Sequence, residues 1–491
     1  MIEVIVNRPS FEYDIHSLVK AFFPREDVQV RVQDTFTDDT KIRMTVHFTD
    51  DQVSFSVTED GCLKENGEQA IDYSDRKETK NHLKRLIYRK LSNYTGQELP
   101  WGTLTGIRPT KIAMGLLEQG KRNVEIAEYM RNTYLASKEK VALSVMIANR
   151  EQYVLRNIDY KDGYSLYVGI PFCPSICLYC SFSSYPLERW RKRVDEYLDA
   201  LCKELDYLSS RFRHKKLNTV YIGGGTPTTL EPYQLDRLLT KIQSCFDTEH
   251  LQEFTVEAGR PDSITREKLQ VLLDHGIDRI SINPQTMNQK TLDIIGRRHT
   301  VVQVQEAFAL AREMGFSHIN MDLIVGLPSE TYEDVERTMQ EVQRMAPDSV
   351  TVHSLAIKRA ARLSLFKDKY EEMGLENNMQ IMDMTARYCA EMELSPYYLY
   401  RQKNMAGNFE NVGYAKVDKA GIYNILIMEE KQTILAVGAG ASTKVVLPSD
   451  QPEVMESRIE RCENVKDVSQ YIERIDEMIE RKEQFFCKNG I

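Results

Sequence analysis

The chain has 491 residues, enough for roughly two to four domains, and its 42% hydrophobic and 28% charged residues are typical of an ordinary soluble protein. With 64 basic and 73 acidic residues the formal net charge is −9, so the overall charge gives no support for nucleic-acid binding. The N-terminal residues lack the basic start and apolar core of a signal peptide, and no apolar stretch approaches a membrane span. We therefore predict a cytoplasmic protein.

Residues 1–160 are predicted to form a small α+β N-terminal domain. Short runs rich in Val, Ile and Phe predict strands at 28–32, 42–48 and 53–57, and amphipathic patterns predict helices at 76–94 and 138–153. The segment 99–111 is dense in Gly, Pro and Thr, and we expect it to be an ordered loop that leads into a helix.

Residues 161–360 alternate short strands with helices, which predicts a parallel sheet with helical crossovers. Ligands of such sheets bind outside the carboxyl ends of the strands. The predicted strands are 165–170, 219–223, 253–257, 279–283, 318–325 and 349–354. The predicted helices are 194–211, 232–246, 265–275, 301–314 and 332–345.

Residues 361–491 are predicted to be a mixed α/β C-terminal domain. A helical pattern covers 370–392 and β-like runs cover 422–428 and 433–438. A pair of amphipathic helices at about 450–487 is expected to end the chain.

Three cysteines follow the first strand of the predicted parallel sheet with the spacing C-x3-C-x2-C: Cys173, Cys177 and Cys180. A [4Fe-4S] cluster usually takes four thiolates, so three would leave one iron open to a small amino-carboxylate chelate. A structural zinc site needs a fourth ligand, and the next candidates, Cys202 and His214, lack the usual spacing. A disulfide is disfavoured in a reducing compartment. The motif therefore favours an iron–sulfur cluster.

Other polar residues follow the remaining strands and are expected on the same face as the cysteines. A Gly-Gly-Gly-Thr-Pro run at 223–227 would let the backbone approach a ligand closely. Glu257 could accept hydrogen bonds from ribose hydroxyls, and Arg297 could hold a carboxylate with two hydrogen bonds. Asp322 lies inside a buried strand, where a carboxylate needs a polar cavity or a cationic partner.

The cysteine motif behind a first β-strand resembles the signature of radical S-adenosylmethionine (radical SAM) enzymes. The resemblance implies a partial (β/α)6 barrel with a [4Fe-4S] cluster and S-adenosylmethionine (SAM) as cofactors. In that family the reduced cluster cleaves SAM to a 5′-deoxyadenosyl radical, which abstracts hydrogen from the substrate.

The resemblance narrows to the oxygen-independent coproporphyrinogen III oxidase family over about 160–445. Six motifs stand in the family's order: Tyr-x-x-Ile-Pro-Phe-Cys, Gly-Gly-Gly-Thr-Pro, Val-Glu, Pro-Gln-Thr, Gly-Arg-x-His and Asp-Leu-Ile-x-Gly-Leu-Pro. It implies that Cys173, Cys177 and Cys180 hold the cluster and that Tyr167 lies near the SAM sulfonium. The implied SAM contacts are Gly224, Gly225, Thr226, Glu257, Gln285, Arg297 and Asp322, with Ile324, Gly326 and Ala356 near the adenine.

Segments 99–111, 397–408 and 411–414 together resemble the HemZ type of this family, which has an additional N-terminal domain. The implied reaction is the conversion of coproporphyrinogen III to protoporphyrinogen IX in heme biosynthesis, by oxidative decarboxylation of two propionates to vinyl groups. The implied partners are this tetrapyrrole and an electron donor such as flavodoxin or ferredoxin.

Three positions depart from the oxidase pattern: Gly169 replaces a histidine, Phe182 replaces an additional cysteine, and Arg401 replaces a glutamate. The sequence C-x3-C-x2-C-x-Phe is also that of the HemW type, which resembles heme chaperones. A heme-binding protein and another radical reaction on a tetrapyrrole, such as methylation or ring opening, therefore stay open as alternatives.

Cationic side chains are candidates for binding the propionates of a tetrapyrrole. Arg401 and Lys403 are the first of these, and Lys358, Arg359 and Arg362 after the sixth strand are others, although most such side chains simply face solvent. His353 at the end of that strand is as consistent with a structural histidine as with a ligand contact.

Overall fold

The computed structural model describes residues 1–24, 26–32, 40–106, 108–356, 374–401, 409–447 and 458–491. Contacts divide these residues into two compact units. The first contains Met1–Asn149 and Arg401, and the second contains Arg150–Tyr400 and Phe409–Ile491. Within the described ranges, no helix combines the length and apolar character that a membrane crossing requires.

The first unit contains a five-stranded sheet in the order β2-β1-β3-β4-β5. The strands are β1 (Ile2–Val6), β2 (Val28–Val32), β3 (Ile42–Phe48), β4 (Gln52–Glu59) and β5 (Cys62–Ala70). The predicted strands at 28–32, 42–48 and 53–57 are confirmed, whereas β1 and β5 were not predicted. Alternating side chains of β3 and β4 are buried in one core, including Met44, Val46, Phe55 and Val57.

Five helices accompany this sheet along the chain: Glu12–Phe22, Arg76–Thr95, Thr110–Glu118, Asn123–Tyr134 and Lys138–Leu155. Helix Arg76–Thr95 begins at Asp75, whose carboxylate accepts hydrogen bonds from the backbone N–H groups of Lys77 and Glu78. Residues 99–106 and 108–109 form neither helix nor strand and precede helix Thr110–Glu118, as expected.

The second unit is built on an eleven-stranded sheet whose six central strands are parallel and adjacent in chain order. These are β6 (Gly163–Ile170), β9 (Lys216–Gly224), β10 (Glu253–Glu257), β11 (Arg279–Ser281), β12 (His318–Val325) and β13 (Ser349–Ser354). The two-residue strands β7 (Phe172–Cys173) and β8 (Tyr185–Pro186) form a separate ladder between β6 and β9 in the sequence. The predicted parallel sheet is confirmed.

Crossover helices connect these strands at the predicted places: Val194–Arg211, Pro232–Cys245, Arg266–Asp274, Val301–Met314 and Tyr332–Met345. Each buries one apolar stripe, as in helix Tyr332–Met345, where Val335, Met339 and Val342 are buried. Two shorter helices, Leu187–Trp190 and Gln289–Ile294, also lie between strands of this sheet along the chain.

The C-terminal segment extends both edges of the parallel core. On one side β16 (Thr433–Val437) runs parallel to β6 and is followed by antiparallel β17 (Ser442–Leu447) and β18 (Arg458–Glu463). On the other side β15 (Asn411–Ala415) pairs antiparallel with β13 and with β14 (Ser395–Tyr400). The sheet is open, with β14 and β18 at its ends. This mixed extension agrees with the predicted fold class.

Two predictions for the C-terminal region are wrong. Residues 422–428 were predicted as a strand but form helix Ile422–Glu429, because the Glu253 carboxylate accepts hydrogen bonds from the Ile422 and Tyr423 N–H groups at 2.6 and 3.4 Å. The terminal helix pair starts later than expected, since residues 458–463 are strand β18. The helices are Val468–Glu473 and Ile475–Lys488. The pattern at 370–392 corresponds to helix Met379–Glu391, and residues 370–373 lie outside the described residues.

Glu151 has a buried carboxyl group, and ionisation of this group lowers the free energy of unfolding. Its side chain is 0% exposed, and neither carboxylate oxygen has a hydrogen-bond partner among the described residues. Burial, with a further contribution from the Glu429 carboxylate, raises the pKa of Glu151 well above its ordinary value. The folded protein therefore binds this proton more tightly than the unfolded chain does.

The E151Q variant is expected to gain stability over the native protein as pH rises. Because the pKa of Glu151 is raised on folding, the native protein loses free energy of unfolding as pH increases from the ordinary glutamate pKa through the folded pKa. A neutral amide removes that loss. Denaturant unfolding at pH 5 and pH 8 measures it, with E306Q on the exposed face of helix Val301–Met314 as the control. An equal effect of E151Q at both pH values would contradict the prediction.

Candidate functional site

The three cysteines of the motif lie on one tight loop at the carboxyl end of β6. The Cys180 N–H donates to the Cys177 carbonyl at 3.2 Å, and the Leu178 N–H donates to the Ile295 carbonyl at 2.9 Å. All three thiols are free, Cys177 is buried, and Cys173 and Cys180 are half-buried. One hydrogen bond within the loop therefore forms a tight turn between Cys177 and Cys180, and a second one holds the loop against the segment that precedes Arg297.

Each of the three thiols has a polar neighbour outside the motif. The Thr226 hydroxyl donates to the Cys173 sulfur at 3.6 Å, an Arg260 N–H donates to the Cys177 sulfur at 3.7 Å, and the Ser184 hydroxyl lies 3.9 Å from the Cys180 sulfur. Burial raises the pKa of the Cys173 thiol to about 11. A thiolate at this position consequently needs a bound cation to stabilise its charge.

The glycine run after β9 packs its backbone directly against the start of the cysteine loop. The Gly225 N–H donates to the Ile170 carbonyl and the Thr226 N–H donates to the Phe172 carbonyl, both at 2.7 Å. A Cβ on Gly225 would lie 2.5 Å from the Phe172 carbonyl oxygen, so no side chain fits there. Gly224 is exposed and has φ +106°, a conformation that favours glycine.

Glu257 at the end of β10 is the centre of a group of hydrogen-bonded polar side chains. Its carboxylate accepts from the Tyr221 hydroxyl, from the Ser281 hydroxyl at 3.3 Å and from the Asn283 amide at 3.1 Å. Burial, with a further contribution from the Asp322 carboxylate, raises the pKa of Glu257 to about 7. The side chain is thus fixed in orientation before any ligand binds.

Asp322 in β12 has the polar partners that its place in a buried strand requires. The Asn320 amide donates to it at 2.8 Å, and His353 lies 3.8 Å from its other oxygen. Burial acts to raise the pKa of Asp322, but hydrogen bonds from His353 and Asn320 hold it below its ordinary value. His353 also lies 3.4 Å from the Tyr400 hydroxyl, so this histidine is held between two side chains.

The other predicted SAM contacts lie on the neighbouring segments. Gln285 has φ +67°. Its backbone N–H donates to the Asp322 carbonyl at 3.0 Å, and its carbonyl accepts from the Ile324 N–H at 2.9 Å. Ala356 is half-buried and is the last described residue after β13. Arg297 is buried and donates to the Asn283 carbonyl, while its Nε has no hydrogen-bond partner among the described residues.

Tyr167, which was predicted to lie near the SAM sulfonium, stacks with two tyrosines that the sequence analysis did not identify, Tyr221 and Tyr423. Tyr167 and Tyr221 stack with ring centroids 6.4 Å apart, and Tyr221 stacks on Tyr423 at 4.5 Å. Tyr221 shares a strand face with Gly223, so the period-2 pattern contained a signal for it. Tyr423 had none, because it comes from helix Ile422–Glu429, which was predicted as a strand.

The arrangement fits a [4Fe-4S] cluster with SAM on its open iron. A four-iron cluster takes each thiolate on a separate iron, which suits three free cysteines on one short segment. The Nε of Arg297, which has no hydrogen-bond partner among the described residues, offers a donor for an amino-acid carboxylate, and the exposed backbone of Gly224 lets an amino group approach closely. Glu257 offers acceptors for ribose hydroxyls.

Of the five cationic residues predicted to bind substrate propionates, the structure describes one, Arg401. Arg401 is 4% exposed, donates to the Leu104 carbonyl at 2.7 Å and lies over the Trp101 ring, all within the first unit. Lys403, Lys358, Arg359 and Arg362 lie outside the described residues. Propionate binding by these cations stays a prediction.

The chain is similar to a known superfamily and to several known proteins. The Radical SAM superfamily profile matches residues 167–342. The "oxygen-independent coproporphyrinogen-III oxidase-like protein HemZ" of Bacillus subtilis (strain 168) is 40% identical over 420 residues, which cover 84% of this chain and 83% of that protein. "Heme chaperone HemW" of the same organism is 38% identical over 278 residues, which cover 56% of this chain and 70% of that protein.

Among solved structures, the coproporphyrinogen III oxidase HemN of Escherichia coli, described as a radical SAM enzyme, has the same fold. The TM-score is 0.51 with 23% sequence identity, and the match covers 67% of this chain and 73% of that one. At this sequence identity the likeness supports the fold of the chain.

Proposed function

Since this chain belongs to the radical SAM superfamily and, within it, to the HemZ-type oxygen-independent coproporphyrinogen III oxidase-like proteins, we propose that it is an oxygen-independent coproporphyrinogen III oxidase. The reaction would convert two propionate side chains to vinyl groups and yield protoporphyrinogen IX. Each propionate would lose one hydrogen atom, carbon dioxide and one electron, which passes to an acceptor. The observation that supports this most directly is the three-cysteine loop, which lies beside the polar residues proposed to bind SAM.

Each polar group of the site would have a defined task in that reaction. Cys173, Cys177 and Cys180 would hold the cluster, which together with SAM supplies the hydrogen-abstracting radical. The Arg297 guanidinium would bind the SAM carboxylate, and the Gly224 backbone would accommodate the amino group. Glu257, oriented by Tyr221 and Asn283, would accept the ribose hydroxyls. The stacked tyrosines would exclude water from the reacting atoms.

Anaerobic turnover of coproporphyrinogen III tests this proposal. Reconstituted protein, SAM and a low-potential reductant are expected to yield protoporphyrinogen IX, measured by chromatography after oxidation to the fluorescent porphyrin. The triple C173A/C177A/C180A variant is expected to give no product, because three-thiol ligation is lost. Cleavage of SAM by the native protein without any consumption of coproporphyrinogen III would contradict the oxidase assignment.

A heme chaperone of the HemW kind is the second candidate. Phe182, two residues after Cys180, is 72% exposed at the position where the oxidase pattern has a further cysteine. The 38% identity to a heme chaperone is consistent with this reading. Tight binding of one heme per chain without turnover, measured by absorbance titration, would favour it over the oxidase.

A further inference from the structure

Arg260 is a buried cation next to the cysteine loop that neither the motifs nor the comparisons assign to a role. It follows β10 and is only 3% exposed. Its Nε and Nη2 pair with the two carboxylate oxygens of Asp262 at 2.9 and 2.8 Å. Its own carbonyl accepts from the Ser263 hydroxyl at 2.7 Å. The guanidinium plane is therefore fixed by a two-pronged ion pair.

The remaining edge of that guanidinium faces the cysteine loop. Nη1 donates to the Ser175 hydroxyl at 3.1 Å, lies 3.4 Å from the Ser175 carbonyl oxygen and donates to the Cys177 sulfur at 3.7 Å. The Ser175 hydroxyl in turn donates to the Gly296 carbonyl at 3.0 Å. One nitrogen thus holds the loop between its first two cysteines and also contacts the sulfur of the second.

We propose that Arg260 is a positioning residue that raises the reduction potential of the [4Fe-4S] cluster through its hydrogen bond to Cys177. Reduction adds one electron, and the added negative charge spreads onto the ligating sulfurs. A charged N–H donor at a sulfur stabilises the reduced form more than the oxidised form. The proposal depends on the cluster alone and not on which tetrapyrrole reaction the protein carries out.

The side chain must be arginine for this arrangement. Two of its nitrogens are used by Asp262, and only a planar fork leaves a third N–H directed at Cys177. The neighbouring His299 is neutral, because burial, together with the charges of Arg297 and Arg260, lowers its pKa to about 3. His299 thus adds no charge beside Arg260. The carboxylate of Asp262, which is paired with the guanidinium, balances the charge of Arg260.

An EPR-monitored redox titration of the reconstituted protein tests the proposal. In R260M the ratio of reduced to oxidised cluster at a fixed potential is expected to fall about tenfold, which corresponds to about 59 mV for one electron. R260K should lie between R260M and the native protein, since it keeps the charge but loses the fork. The R298M control removes an exposed arginine and is expected to leave the potential unchanged.

The D262N variant supplies an independent measurement that keeps Arg260. Loss of the balancing carboxylate leaves the guanidinium charge uncompensated, so the reduced fraction at a fixed potential is expected to rise. If R260M does not retain iron, the reduced fraction measured in D262N alone tests whether Arg260 raises the potential of the cluster. A native midpoint potential in cluster-loaded R260M, or an unchanged or lower potential in D262N, would overturn the proposal. Because neither measurement needs a tetrapyrrole, failure of the oxidase assignment would not affect them.

Discussion

The C177A variant is expected to lose the cluster completely and with it all cleavage of SAM. Cys177 is the buried member of the three, and its sulfur receives the Arg260 hydrogen bond. Two remaining thiolates would leave two of the four irons without a protein ligand. Iron and sulfide analysis, the absorbance of the reconstituted protein and the release of 5′-deoxyadenosine measure the loss.

A matched cysteine variant separates ligation from a general effect on folding. C62A removes an exposed thiol of the first unit and is expected to retain the native iron content. The circular dichroism of C177A should remain that of the native apoprotein, because alanine fits the space of the thiol. An iron content of four per chain in C177A, together with native SAM cleavage, would disprove the three-cysteine assignment.

The K482M variant is expected to be strongly destabilised, because it leaves a charged carboxylate buried without its cation. Lys482 and Glu204 are both 0% exposed and form an ion pair at 2.5 Å. The other Glu204 oxygen accepts from the Gly438 N–H at 2.9 Å and from the Tyr471 hydroxyl at 2.5 Å. Loss of one partner of a buried ion pair costs about 3–5 kcal/mol. Denaturant unfolding of the apoprotein measures this free energy.

The double variant E204Q/K482M is expected to recover part of that loss. A neutral amide keeps acceptors for Gly438 and Tyr471 and no longer needs a cation, and well-packed neutral replacements of a buried ion pair are often tolerated. K488M, an exposed lysine of the same helix, is the control and is expected to change stability by less than about 0.5 kcal/mol. A double variant as unstable as the sum of its two single variants would contradict this account.

Another side chain of the helix that carries Glu204 fixes the end of β6, just before the cysteine loop. Tyr197, from the same helix as Glu204, donates its hydroxyl to the Gly169 carbonyl at 2.6 Å and accepts from the Ala439 N–H at 3.1 Å. Gly169 is the position where the family has a histidine. A Cβ there would lie 3.2 Å from the Val437 carbonyl oxygen, so little space is available for a side chain. The departure at Gly169 therefore has a local packing reason.

The helices and strands of the parallel core were predictable because local signals repeat regularly along the chain. Helix Val301–Met314 begins at Thr300, whose hydroxyl accepts from the Gln303 N–H, and ends at Gly315 with φ +102°. Strands β10, β12 and β13 begin and end where the sequence predicted. Short runs of β-branched residues between such helices have few alternatives to a buried parallel sheet.

The sequence by itself determined the chemistry of the cysteine loop, because the number and spacing of its thiols follow directly from the chain. Only the tertiary structure decided which side chains surround that loop. Helix Ile422–Glu429 forms where the Glu253 carboxylate, far away in the sequence, caps its first N–H groups, and it brings Tyr423 onto Tyr221. Arg260 had no recognisable signal, since its hydrogen bond to Cys177 joins residues 83 positions apart. Long-range contacts of this kind depend on packing, which local periodicity does not encode.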